Sequence, residues 1–296
     1  SYDVVVDERH RGWAWRYPPL HPPSGTEVSL RDIADRYCAS LRDVYLRNVE
    51  QVDEPITPHV MMKKATNSII ARTFQEAKQA LYSPAPTEVS DLGEHLAEKR
   101  NTVVDETLRE MGRPTMTEMD NSWQPQLVKS QLSDLWDYTV NQIAILLDRV
   151  RSDQPDMSGD ALVNAALPIV AEENLRGHRL GLNGKISVNA YHSQGIVVSV
   201  EINRKWRFHR LMTTGYALLI ESIYEFPVDV GCVAYCRFEK KEEPVVHYDV
   251  HSLDEHLRQE FLRNREQAME IVNQGKDPGP PDKCYDACPY WDYCHP

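Results

Sequence analysis

The feature that most constrains this chain is the stretch Cys284-Tyr-Asp-Ala-Cys288-Pro-Tyr-Trp-Asp-Tyr-Cys294. Three cysteines fall within eleven residues in the spacing C-x3-C-x5-C. Thiolates this dense in one short segment read as metal ligands, and soft sulfur donors suit zinc or an iron–sulfur cluster. The stretch carries Pro289, Trp291 and several tyrosines but little aliphatic surface. Packing alone is therefore a weak reason for it to dock, and an inorganic group is expected to hold it to the body of the protein. Three thiolates are one short of a full set, so the fourth ligand is expected from a distant part of the chain.

Composition narrows the class. Hydrophobic residues make up 41% of the chain and charged residues 26%, the balance of a globular protein with a sizeable core in one large or two modest domains. The net charge of −12 argues against a surface that binds nucleic acid everywhere, and leaves room for a local basic groove. No apolar run is long enough to cross a membrane, and the first residues lack the basic and apolar regions of a signal peptide. Six cysteines, three of them clustered, fit metal binding in a reducing cytoplasm better than a disulfide framework.

Residues 1–27 are rich in proline and aromatics, and adjacent prolines forbid a helix; the tryptophans are expected to dock this arm. Ser29 reads as an N-cap with Asp32 completing a capping box, opening a helix that carries Ile33, Tyr37 and Cys38 near one face. A second helical stretch runs from Leu41 to Val49. Pro55 and Pro58 break the pattern. Long helices are then expected over about 60–81, within 88–112 and over 121–151.

After Pro168 the pattern changes. Asn183-Gly184 is a turn, and Lys185-Ile-Ser-Val-Asn-Ala-Tyr191 alternates as a half-buried strand. A second turn leads to Ile196–Ile202, apolar enough to be buried on both faces. A helix over 206–224, a strand over 228–238, an edge strand over 244–250 and a charged helix over 254–273 follow. Gly275 to Pro281 is a linker that delivers the cysteine tail. The second half therefore predicts an α/β core with a mixed sheet. Cys232 and Cys236 lie four apart in an apolar strand and read as core thiols. Gly12 and Gly215 are too isolated to cradle phosphate, and no Walker loop, Rossmann glycine pattern or Ser/His/Asp arrangement is present.

Several stretches together resemble the RecB-like nuclease family of CRISPR adaptation, the Cas-four family, and its type I-A branch in particular. They are Arg11-Gly-Trp-Ala-Trp15, Ile33-Ala-Asp-Arg-Tyr-Cys38, Gly181-Leu-Asn-Gly-Lys-Ile-Ser-Val-Asn189, Val197-Val-Ser-Val-Glu-Ile-Asn203, His209-Arg-Leu-Met-Thr-Thr-Gly-Tyr-Ala-Leu218 and the segment from Asp277 through the cysteines. The resemblance implies a restriction-endonuclease-like (PD-(D/E)XK) core with a mixed sheet, a large helical insertion and an iron–sulfur tail. It divides the chain into an arm (1–27), a mainly helical region (28–168), the nuclease core (169–274) and the tail (275–296). It also implies that Cys38 joins Cys284, Cys288 and Cys294 around an iron–sulfur cluster, [4Fe–4S] in kind. Zinc held as a structural clip is the other reading of the same cysteines.

The same match exposes departures from a working nuclease. The family's Gly-x-x-x-His segment falls on Lys63 and Asn67, its strand Asp on Asn189, and its Glu-x-Lys on Glu201-Ile-Asn203. A hard divalent cation, Mg²⁺ or Mn²⁺, prefers carboxylate oxygen, so Glu201 and Asn189 make a poor metal pair, and Asn203 removes the positive group beside the nucleophile. Asn67, Asn189 and Asn203 together are expected to abolish hydrolysis. Glu172 and Glu173 are the compensating carboxylates in view.

DNA contact is assigned to the basic start of the following helix, Arg204, Lys205, Arg207 and Arg210, and to Tyr216. Trp206 or Phe208 is available for base stacking. The alternative for this stretch is a solvated helix start whose aromatics are core. The expected function is an iron–sulfur protein that binds DNA ends or single-stranded DNA, alongside a CRISPR integrase or other Cas proteins. The alternative is a Mg²⁺- or Mn²⁺-dependent DNA exonuclease that trims prespacers.

Overall fold

The computed structural model describes residues 5–82, 91–114, 123–157, 159–167, 174–192, 195–202, 204–238 and 244–295. Asn203, Glu172, Glu173 and the prolines at 84, 86 and 168 lie outside them.

Ser29 forms the expected capping box: its backbone N–H donates to Asp32 Oδ2 at 2.8 Å, and Asp32 N–H donates to Ser29 Oγ at 3.1 Å. The helix it opens, α1 (Leu30–Ala34), is shorter than its periodicity predicts. The chain leaves the helix at Asp35, so Tyr37 and Cys38 sit in the turns beyond it and not on its face. Helix α2 (Arg42–Asn48) follows, with Arg47 and Asn48 both donating to Asp32.

Four helices, α3 (Pro58–Tyr82), α4 (Leu92–Met111), α5 (Pro125–Asp153) and α6 (Gly159–Ala166), pack together through Ala65, Ile69, Leu96, Leu132, Trp136 and Leu147. Pro58 starts α3 instead of breaking it, because the first helical position needs no N–H partner. The buried Trp136 indole donates to the Leu96 carbonyl at 3.1 Å, which satisfies its polar edge.

The second half is the expected mixed sheet, with one correction. The alternating stretch from Lys185 is split. Strand β2 (Lys185–Ser187) pairs with β1 (Asn174–Arg176), whereas β3 (Ala190–His192) pairs with β4 (Ile196–Ile202). Val188 and Asn189 form the break. The main sheet has the order β3-β4-β5-β6, with β5 (Val230–Arg237) parallel to β4 and β6 (Val245–Ser252) antiparallel at the edge. Helix α7 (Arg210–Tyr224) crosses between β4 and β5, and α8 (Glu255–Gln274) follows β6. Strands β4 and β5 are buried on both faces, whereas β6 is exposed on one: Val197 packs with α1, α7 and α8, and Val200, Ala234 and Cys236 pack with the helical half. Cys232 and Cys236 are both buried. No helix among the described residues is long and apolar enough to cross a membrane.

The amino-terminal arm docks through Arg11 and Gly12 more than through its tryptophans. Arg11 donates to Glu221 at 2.9 Å and to Asp229 at 2.5 Å. Gly12 N–H donates to Glu221 at 2.7 Å. A Cβ at Gly12 would lie 2.0 Å from the Leu218 carbonyl oxygen, and one at Gly215 would lie 2.3 Å from a Leu30 methyl. Both isolated glycines therefore permit close approach of elements. Trp15 packs against the core from the side.

The tail ends in a short helix, α9 (Trp291–Cys294). It docks on α2: Tyr290 is buried against Tyr45 and Leu46, with Cys288 and Cys294 packed beside it. Arg42 chelates Asp277 at 2.9–3.2 Å, and Ser40 Oγ donates to the Gly279 carbonyl at 2.7 Å. Apolar burial and ion pairing thus contribute to seating the tail, which the sequence credits to an inorganic group alone.

Candidate functional site

A cavity of about 720 Å³ opens where α1, α3, β4, α7 and the tail meet. Helix α3 turns Lys63 and Asn67, one helical turn apart, toward it. The break between β2 and β3 places Asn189 in its wall, β4 supplies Glu201, α7 supplies Tyr216, and the tail closes one side with Tyr285, Cys288 and Tyr290. The end of α1 adds Asp35, which the sequence reading passes over. The site positions Asn67, Asn189 and Glu201 are therefore gathered around one space.

The charges in this cavity are paired in an order the strand motifs do not anticipate. Lys63 Nζ is 2.8 Å from Glu201 Oε2 and 3.9 Å from Asp35 Oδ1. Arg31 lies on the far side of Asp35 at 3.1 Å and reaches Glu54 at 2.6 Å. Burial raises the Glu201 carboxyl above the ordinary range despite Lys63. Burial works the same way on Asp35, but there Lys63 and Arg31 outweigh it and hold the carboxyl below that range. Asn189 Oδ1 accepts from Val200 N–H at 3.3 Å and from the Tyr216 hydroxyl at 3.4 Å. Asn67 Oδ1 is buried without a hydrogen-bond partner among the described residues.

Behind the charges runs an aromatic relay. Tyr37 Oη is 2.6 Å from His209 Nε2, and His209 Nδ1 is 3.1 Å from Tyr235 Oη. Tyr37 also stacks on Tyr285 of the tail, with ring centroids 4.6 Å apart. Burial, reinforced by Lys63, pushes His209 down to about 4. The unfolded chain, with an imidazole near ~6.5, then binds the extra proton between those values. The His209 contribution is complete above about pH 6.5 and is lost as pH falls toward 4. Its expected size is roughly 3 kcal/mol at ~1.4 kcal/mol per unit. Asp43, raised to about 6 by burial, acts in the opposite sense over part of that window. As pH is lowered from 7 to 4, urea midpoints should fall more steeply for the wild type than for His209→Gln. Parallel curves would remove His209 as the cause.

The four cysteines of the proposed cluster come from both ends of the chain and interact electrostatically. Burial raises Cys288 to about 12, and Cys38 and Cys294 push it further in the same direction. Cys284 is raised by burial, Cys294 and Cys38. Arg42 Nη1 donates to Cys294 Sγ at 3.4 Å. All four are free thiols of intermediate exposure. Among the described residues, no three His, Cys, Asp or Glu side chains are already gathered around a single metal-ion position.

The basic stretch is largely paired within the protein. Arg210 chelates Asp249 at 2.8 and 3.0 Å, and Lys205 meets the same carboxylate at 3.0 Å. Burial works to raise Asp249, and Arg210 with Lys205 holds it at about 2. Arg207 lies 3.0 Å from His256 and 3.7 Å from Glu260. Arg204 is exposed and lies over the Trp206 ring at 4.3 Å. Trp206 stacks on Phe208 with centroids 5.5 Å apart, and Tyr216 is buried. The aromatics pack within the protein, as the alternative reading of this stretch expects.

Sequence reasoning misses Asp35, Glu54, Tyr37 and Tyr285, and it treats Lys63 only as a departure from a glycine. One signal was available for Lys63: it lies one turn before Asn67 and so shares that residue's helix face.

Fold and site together define a mixed α/β protein in which a sheet and a helical layer enclose a carboxylate–lysine cavity walled by a cysteine-bearing tail. A family model described as CRISPR-associated exonuclease Csa1 matches residues 1–296, and the chain belongs to that family. The chain is 30% identical over 292 residues to the CRISPR-associated exonuclease Csa1 of Saccharolobus solfataricus, covering 98% of this chain and 93% of that one. It is 24% identical over 289 residues to the protein so named from Thermoproteus tenax, covering 98% and 91%. No solved structure matches the chain.

Proposed function

We propose that this chain is a nuclease-derived DNA-binding subunit of the CRISPR adaptation machinery, with a restriction-endonuclease-like core whose hydrolytic site is closed. The observation that carries this reading is the Lys63–Glu201 pair: the one acidic motif residue already holds a cation from its own chain. The divalent ion implied by the resemblance does not fit the residues present. Asn189 offers a neutral carbonyl already engaged by Val200 and Tyr216. Glu201 is engaged by Lys63, and no ready ligand set surrounds the cavity among the described residues.

The chain's own residues account for DNA binding instead. Lys64 and Lys185 are exposed at the cavity. Arg204, also exposed, lies within electrostatic reach of Tyr285. These cations can meet the phosphates of a strand end while the cavity receives its terminal unit. The net charge of −12 leaves most of the remaining surface suited to basic protein partners, such as other Cas proteins. A cytoplasmic setting with reduced cysteines belongs to this reading.

A [4Fe–4S] cluster is supported by the donor chemistry: four free thiols of intermediate exposure, Cys38 and Cys294 acting on Cys284 and Cys288, and Arg42 donating to Cys294, although no three are gathered around one point among the described residues. Cys38, Cys284, Cys288 and Cys294 would hold it, and when bound it would supply a covalent clip between the start and the end of the fold. Purified protein should be brown and contain iron and sulfide. Cys38→Ala should lose most of both, and unchanged iron in that variant would reject the ligand assignment. Colourless protein with stoichiometric zinc would favour the zinc clip.

The second reading, a Mg²⁺- or Mn²⁺-dependent exonuclease, is favoured by the name its relatives carry and by Asp35 standing beside Glu201. Labelled single-stranded and overhang DNA separate the two. The closed-site reading expects binding that weakens as salt rises and no cleavage with Mn²⁺. Cleavage abolished by Glu201→Gln would replace it with the second reading.

A further inference from the structure

We infer that Lys63 is the resident cation of this cavity, a side-chain ammonium standing in the place of a divalent metal ion. The inference rests on the reading of the site as a closed nuclease and names what closes it.

Glu201 is nearly fully buried, with 3% of its side chain exposed. A carboxylate buried there either takes up a proton or keeps its charge through a cation held beside it. Lys63 does so at 2.8 Å, from a helix and not from the strand that carries Glu201. The same ammonium lies 3.9 Å from Asp35, so it sits between two carboxylates that converge from different elements. That is the arrangement in which a small hard cation would otherwise be held.

The other facing groups do not leave Lys63 superfluous. Arg31 is engaged by Asp35 and Glu54. Its guanidinium lines the same cavity and acts on Glu201 only at longer range, making no ion pair with it among the described residues. His209 is held neutral by burial and by Lys63 itself. Asn67 and Asn189 bring no charge, and Tyr37 and Tyr216 have their hydroxyls raised well beyond neutral pH by burial. His59 lines the cavity one turn before Lys63 and acts on His209 as a further positive influence. Lys63 is thus the direct ionic partner of Glu201. A lysine suits the position because its charge is compact and sits on a flexible stem.

Retaining the cavity while replacing the metal has a plain consequence. With the cysteine-bound group in place, DNA binding should need no added divalent ion, and removing the ammonium should uncover a cation site. The test is uptake of Mn²⁺ by the full, cluster-loaded chain, followed by loss of the electron paramagnetic resonance signal of free aqueous Mn²⁺. Wild type should leave Mn²⁺ free. Lys63→Met should take up about one Mn²⁺ per chain through its exposed carboxylate pair, and Lys63→Met with Glu201→Gln should take up none.

Three results would overturn the inference. In the first, wild type takes up Mn²⁺ and loses that ability with Glu201→Gln. In the second, a folded Lys63→Met chain takes up none. In the third, Lys63→Met stays unfolded, by circular dichroism, whether Mn²⁺ or chelator is present. A Lys63→Met chain that is unfolded in chelator and folds with Mn²⁺ would support it. Parallel DNA assays separate the two levels: Mn²⁺ uptake by wild type without cleavage defeats the Lys63 assignment alone, and uptake with cleavage defeats the closed-nuclease reading as well.

Discussion

Arg258→Met should destabilise the folded chain by about 3–5 kcal/mol, the range for leaving a buried charge without its partner. Arg258 has no solvent exposure. Its Nη1 and Nη2 donate to the two Glu221 oxygens at 2.7 and 2.9 Å. Its other bonds go to the carbonyls of Leu253 at 3.0 Å, His10 at 3.1 Å and Val228 at 2.9 Å. These use the five N–H donors a guanidinium offers. Methionine fills comparable volume but leaves three buried carbonyls and one carboxylate short of donors.

Arg11, Gly12 and Val228 still donate to Glu221, so the variant should fold, with a much lower denaturation midpoint. Adding Glu221→Gln should recover part of the loss, because Arg11 then faces one carboxylate, Asp229, instead of two. A cost below about 1 kcal/mol for Arg258→Met would show that the network does not hold the arm, α7 and α8 together.

The second large effect concerns the cavity. Restoring Asn67→His, Asn189→Asp and Asn203→Lys while leaving Lys63 in place should yield little or no cleavage of labelled single-stranded DNA with Mn²⁺. The Lys63 ammonium still engages Glu201. Adding Lys63→Gly, the residue the resemblance places there, should raise cleavage on the order of 10³-fold or more, the scale on which single catalytic groups count. Equal cleavage with and without Lys63 would mean that the lysine does not close the site. Silence in both would mean that the core lacks more than these side chains.

Much of the secondary structure was legible because it is written locally. The Ser29–Asp32 box, the apolar periodicity of α3 and α5, the two-faced burial of β4, the edge position of β6 and the extent of α8 all depend on neighbours in the chain. The places where that reading went astray are places where distant contacts override local preference. The early end of α1 brings Asp35 to Lys63, although helical periodicity favours continuation through Cys38. The break at Val188 and Asn189 lets one apolar stretch serve two sheets, although alternation alone predicts a single strand. The basic run was legible, whereas the ion pairs of Arg210 and Lys205 with Asp249 depend on β6, a distant strand.

By itself, the sequence determined the mixed α/β class, the capping box at Ser29 and the burial of the thiols Cys232 and Cys236. Patterning and residue type carry that information over a few neighbours. Only the tertiary structure decided which charges meet. Arg11 reaches Glu221 across 210 positions, and Lys63 reaches Glu201 from a different element. A buried charge takes whichever partner the fold brings within about 3–4 Å, and no spacing rule along the chain encodes that choice.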